Sequence, residues 1–198
     1  MGKIILICGA AVAVNLIGSF VVRTFNLPLF LDTGGTIFIA MLSGYVPGIV
    51  VGFATNFLNS FFDESEMYFC SISIFVAIYT TFLARRGCYE KFFKTVLTIP
   101  PIVLITAVIE EFIEKFLTCT GVIEAFSQIE MHFTEILFKE LIDKGSLILL
   151  MFFIVKFVPP QVKKIFRGLG QRQAPLTSDM KRAIRTWNCP RSSLRTTI

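Results

Sequence analysis

The chain gathers its apolar residues into runs close to the roughly 20 residues that an α-helix needs to cross a bilayer. Residues 4–22 form the first run, broken only by Asn15 and small residues, and 67–84 and 92–113 are two more. Composition points the same way: 54% of the residues are apolar, 17% are charged and the mean hydropathy is +0.71. An average soluble domain has roughly 45–50% apolar and about 25% charged residues. These features argue against an ordinary soluble enzyme and against a disordered or fibrous chain. A length of 198 residues leaves room for one domain of several spans and a tail.

Three further runs complete the count. Residues 27–62 are too many for one span and are punctured by Asp32-Thr33-Gly34-Gly35 and by Gly44-Tyr45-Val46-Pro47-Gly48. The turn chemistry at Pro47-Gly48 predicts a hairpin of two short helices, about 32–43 and 46–61. Pro100-Pro101 should kink the fifth run or delay its start. The last run, 145–158, is short unless it begins near Ile136, and it ends at Pro159-Pro160. The expected fold is all-α, a polytopic membrane bundle of six transmembrane helices over residues 1–160, followed by a basic tail, 161–198.

Charge sets the expected orientation. From Lys156 to Ile198 there are ten basic residues and one acid, Asp179, a local balance of +9 that leaves −4 for the rest of a chain whose total is +5. Such asymmetry fits membrane topology better than a nucleic-acid-binding face, so no nucleic-acid partner is expected. Arg85, Arg86, Lys91 and Lys94 surround one short connection. The positive-inside rule places that connection and the tail in the cytoplasm, and six spans then put both termini there. Asp63, Glu64, Glu66 and the acidic region 110–144 fall outside, with Arg23 as the exception. The first run differs from a cleaved signal peptide, despite Ala11-Val12-Ala13, because apolar sequence continues through Val22 and only Lys3 precedes it. Cys8, Cys70, Cys88, Cys119 and Cys189 form an odd set without a CxxC pair, so neither a disulfide framework nor a zinc site is expected.

An ionisable group in hydrocarbon costs at least about 2.5–3.5 kcal/mol, so those that occur face a bundle interior, water or a ligand. Asp32, with Thr33, is either the N-cap of the second span or a ligand contact. Asn56 and Asn59 are three apart on one helical face near the outer end of the third span, as interhelical glue or as a cavity lining. Glu110, Glu111 and Glu114 end the fifth span, either as a solvated helix end or as a site for a cation or basic ligand. Asp143-Lys144 opens the sixth span. Gly48 and Gly52 admit a close neighbouring helix. His132 and Glu135 share a face, but one His with one acid does not make a metal site. Stacking partners for a ligand are expected among Phe57, Phe61, Phe62, Tyr68 and Phe69. No nucleophile with its base, GxSxG elbow or phosphate loop is present, so no catalytic residue, metal or cofactor is expected.

The stretch Leu27-Pro28-Leu29-Phe30-Leu31-Asp32-Thr33-Gly34-Gly35-Thr36, with Gly44-Tyr45-Val46-Pro47-Gly48-Ile49-Val50-Val51-Gly52, Thr55-Asn56 and Ile142-Asp143-Lys144-Gly145, resembles the substrate-binding S components of energy-coupling factor transporters. More narrowly, it resembles the S-component-like membrane domains at the N-terminus of some bacterial signalling proteins. The resemblance covers about residues 1–160 and implies a six-helix bundle in the inner membrane with an outward-facing pocket for a vitamin-like small molecule. The residues expected there are Asp32, Thr33, Asn56, Asn59, Glu110, Glu114 and Asp143. Two departures matter. S components that dock on a shared coupling subunit often carry Ala-x-x-x-Ala in the first helix, where this chain has the looser Gly9-x-x-x-Ala13. A basic segment also follows the sixth span, ending Ser193-Leu194-Arg195-Thr196-Thr197-Ile198, which looks like the lead-in to another membrane segment or a surface anchor on anionic lipid. The expected function is ligand sensing for a signalling output, the alternative being substrate capture for a transporter with a coupling subunit and ATPases. An acidic outer face favours a neutral or cationic ligand.

Overall fold

The computed structural model describes residues 2–25, 31–120 and 133–159. Seven α-helices run through them: α1 (Gly2–Phe25), α2 (Gly34–Ser43), α3 (Tyr45–Asn59), α4 (Glu66–Arg85), α5 (Phe92–Leu97), α6 (Ile99–Thr120) and α7 (Phe133–Phe157). The described residues are otherwise turns and short connections. His132, the acidic segment 121–131, residues 26–30 of the resemblance block and the basic tail lie outside the described residues.

Three stretches are long and apolar enough to cross a membrane: Ile4–Phe25, Glu66–Arg85 and Phe92–Thr120, the last comprising α5 and α6. The surface agrees, since Leu6, Phe20, Phe93, Phe112, Phe138 and Phe157 are all exposed. The interior in turn holds Asn15, Thr55, Asn56, Glu110, Glu140, Asp143 and Lys144. Apolar side chains outside and polar ones inside is the distribution expected where the solvent is lipid.

The helix boundaries bear out two of the sequence expectations and correct a third. The hairpin turns at Gly44, at φ +96° and ψ −163°, between helices whose ends lie within two residues of those expected. Such a backbone conformation is open to glycine almost alone, while Pro47 sits in the first turn of α3, where its missing N–H has no helical acceptor to lose. Pro100-Pro101 likewise lies in the first turn of α6, and the fifth run breaks at Thr98, the C-cap of α5. The last helix begins at Phe133, close to the start near Ile136 that the sequence allowed, so Asp143-Lys144 lies in the middle of α7 and does not open it.

α2 is the centre of the packing, touching α1, α3, α4 and α7. At ten residues it is only about 15 Å long, half the thickness of a hydrocarbon core. Its N-terminus meets α1 halfway along that helix: Gly35 N–H donates to Asn15 Oδ1 at 2.6 Å. A Cβ on Gly35 would collide with the carbonyl oxygen of Ala11, and one on Gly18 with that of Leu31. Gly48 and Gly52 serve the close approach expected of them. Their Cβ atoms would lie 3.0 Å from Ala40 Cβ and 3.1 Å from Ser73 Cβ. Gly9 is different: a Cβ there meets nothing within 4 Å, and Ala13 is exposed too, so neither packs against the described residues.

Candidate functional site

Because α2 stops halfway, its N-terminus and the two residues before it lie deep between α1, α4 and α7. Asp32 is 8% and Thr33 2% exposed. The capping expected of Asp32 is not made: Thr33 holds the N-cap position, and no side chain bonds to the cap. Both residues line a small cavity of about 20 Å³ with Glu66, Phe69, Ile72, Ser73, Glu140 and Lys144. That volume accommodates one water-sized group.

Lys144 dominates the cavity. Its side chain is 2% exposed, and its Nζ lies 2.5 Å from Asp143 Oδ2 and 3.4 Å from Glu140 Oε1. It also interacts electrostatically with Asp32. Lys144 is the twelfth residue of α7, about 17 Å along the helix from its start. A cation at that depth persists only when paired, because an isolated buried charge costs several kcal/mol. A second buried pair lies one helix away: Lys139 Nζ donates to Glu110 Oε1 at 2.7 Å, tying α7 to α6. Lys139, Glu140, Asp143 and Lys144 recur at helical spacing, so one face of α7 carries the cluster.

The amides divide. Asn59 Nδ2 donates to Ser19 Oγ at 2.9 Å and joins α3 to α1, the gluing role. Asn56, one turn earlier, points to α4 and donates to Ser73 Oγ at 3.0 Å beside the cavity, while its Oδ1 has no partner. Asn15, which the run of apolar residues had hidden, organises a third network. Its Nδ2 donates to Thr36 Oγ1 at 3.1 Å and to Thr55 Oγ1 at 3.0 Å. Its carbonyl side is taken by Gly35. This network is satisfied and stiffens the wall behind the cavity.

The structure thus brings Asp32 and Thr33 to the cavity with Lys144, sets Asp143 against that ammonium and ties Asn56 to the cavity wall through Ser73, with Glu110 adjoining. It leaves Asn59 on the α1 side and Glu114 half-buried on α6, outside the cavity wall. Among the aromatics only Phe69 lines the cavity. Phe57 of α3 and Phe61, in the turn that follows it, form an exposed edge-to-face pair with centroids 5.4 Å apart, and Phe62 is 81% exposed. Sequence reading missed Glu140, Ser73, Glu66 and Lys144 as site residues. Glu140 and Lys144 were detectable in principle as an i, i+4 pair, Glu before Lys, running into an apolar helix. Arg23, the basic residue on the wrong side of the charge pattern, is neutralised there by Glu66 at 2.9 Å. Among the described residues no three of His, Cys, Asp and Glu converge as a metal site would require. No protein-family model, curated protein or solved structure matches the chain, so the reading of this site rests on its own geometry.

Proposed function

We propose that the chain is a non-catalytic membrane module that binds a small molecule at its acidic end and uses the binding as a sensory input. In this reading it is a six-span bundle of the bacterial inner membrane, both ends cytoplasmic, built like the S components of energy-coupling factor transporters. The observation that carries the reading is the ionic cluster around Lys144, buried midway along α7 against α4 and the residues that lead into α2. Inserting such a cluster costs several kcal/mol, and structure alone rarely requires it, since apolar side chains of similar volume pack as well or better. Ionisable groups at such depth are retained where they serve a pathway or a ligand. Because α2 and α7 both line the cavity, a ligand that prefers one packing of these helices shifts the pair. α7 leads directly into the basic segment, the part of the chain that would carry the signal to a cytoplasmic output or to anionic lipid.

A second reading is supported by the unpacked Gly9 and Ala13. Their small-residue face on α1, which no described residue covers, would receive a helix of another subunit, as substrate capture for a transporter with a coupling subunit and ATPases requires. Native mass spectrometry of the detergent-purified chain from its own host tests both. A lone chain carrying a small molecule is the expected result. Co-purified coupling and ATPase subunits would replace sensing by transport, and an empty lone chain would refute ligand capture.

A further inference from the structure

The hydrogen-bonding needs of the cluster are lopsided, and this names the chemistry of what it takes. Among the described residues, the buried side-chain oxygens without a partner at this end of the bundle are Thr33 Oγ1, Asn56 Oδ1, Glu110 Oε2, Glu140 Oε2 and Asp143 Oδ1. Four of the five can only accept a hydrogen bond while the carboxylates are ionised. The donors nearby are already engaged: Lys144 by Asp143 and Glu140, Lys139 by Glu110, Arg23 by Glu66, and the Asn56 amide by Ser73. Charge is equally one-sided. With Glu66 balanced by Arg23 and Glu110 by Lys139, the carboxyl groups of Asp32, Glu140 and Asp143 share the ammonium of Lys144. An anionic ligand would meet that surplus head-on. A neutral acceptor would leave the same oxygens unpaired, at a cost for each.

We infer, building on the capture reading above, that the cavity receives the protonated amino group of a small primary amine, held by Glu140 and Thr33 with Asp32 alongside. Three features fit this group together. An ammonium is water-sized, as the cavity of about 20 Å³ is. It brings three donors and a positive charge to a place short of both. Phe69 and Ile72, on the same wall, offer apolar surface to the carbon attached to it. Thr33 is 2% and Glu140 1% exposed, and each has an unpartnered oxygen, so the site exists before the ligand arrives.

The test is the thermal stability of the full chain in nanodiscs, titrated with ethylammonium chloride, with sodium chloride at matched ionic strength, and with ethanol as the neutral control. A saturable rise in melting temperature with ethylammonium alone is expected. Thr33→Val keeps the shape and removes a hydroxyl that bonds to nothing. It should leave the ligand-free melting temperature unchanged or slightly raised while weakening ethylammonium binding about threefold to tenfold. Glu140→Gln should weaken it at least tenfold. Equal stabilisation by sodium would make this a site for a bare monovalent cation, and no saturable response to any of the three would make it a water cavity; either overturns the inference. The two readings fail separately. A neutral or anionic metabolite bound in the native mass spectrum and lost in Glu140→Gln would sink the amine and leave ligand capture standing.

Discussion

Replacing Lys144 with Met isolates the central claim, that a cation is sealed inside the bundle and compensates several carboxylates at once. Methionine preserves most of the side-chain volume and removes only the ammonium. Asp143, which loses a 2.5 Å contact, and Glu140, which loses one at 3.4 Å, then face each other and Asp32 with no cation among them. Breaking a buried ion pair by removing one partner costs about 3–5 kcal/mol, whereas an exposed pair contributes at most about 1 kcal/mol. Lys144 side-chain exposure of 2% places it in the first class. The assay is unfolding of the full chain in mixed dodecylmaltoside and dodecylsulfate micelles, followed by circular dichroism. K144M should lose about 3–5 kcal/mol. The double variant K144M/D143N should recover at least about 1 kcal/mol of it, since the second change removes a charge stranded by the first. A loss below about 0.5 kcal/mol for K144M, or a D143N cost that simply adds to it, would refute the burial and the coupling.

Four further outcomes are expected. Lys139→Ala should cost about 3 kcal/mol because it strands Glu110, whose side chain is 1% exposed, whereas Lys115→Ala, on a pair with 73% exposure at the lysine, should cost under about 0.5 kcal/mol in the same assay. Gly35→Ala should destabilise by about 1–3 kcal/mol through its collision with α1. Gly9→Ala should be neutral or slightly stabilising in the isolated chain, since alanine is the better helix former and nothing is near; loss of uptake with unchanged stability in Gly9→Leu would favour the transport reading. For orientation, a membrane-impermeant maleimide applied to spheroplasts should label a chain with Cys119 as its only cysteine, while Lys94→Cys in a cysteine-free background should react only after permeabilisation. Labelling in the opposite order would invert the bundle.

What the sequence made legible followed from periodic or punctuated signals. Apolar runs located the long helices because length and hydropathy are properties of a segment. Gly48 and Gly52 were readable because small residues four apart form a groove whatever packs into it. The breaks near Pro47 and Pro100 were readable because proline fits the first turn of a helix and so marks its entry. What hid the interior position of Asp143-Lys144 in α7 was its charge. The first half of that helix carries Glu135, Lys139, Glu140, Asp143 and Lys144, and hydropathy assigns such a stretch to water. Only the partner helices, α2 and α6, supply the enclosure that makes it interior, and a contact between helices far apart in sequence leaves no mark on either alone.

The same limit separates the two kinds of polar residue inside this bundle. Asn15, Asn56 and Asn59 look alike in sequence: single amides in apolar helices. Their roles differ by what is left over. Asn15 uses both sides of its amide on Gly35, Thr36 and Thr55, so nothing is owed to a ligand and the network acts as a brace. Asn59 spends its donor on Ser19 and pins α3 to α1. Asn56 keeps an unpaired carbonyl oxygen beside a cavity whose other unpaired atoms also need donors. In a medium where every unmet hydrogen bond costs more than it does in water, a satisfied network marks structure and a group of unmet needs of one kind marks a place for something that meets them. The brace and the site share α2, which is too short to cross the membrane by itself. The Asn15 network therefore fixes the first turn of α2 against α1, and Asp32 and Thr33, immediately before that anchored turn, are held at the cavity wall.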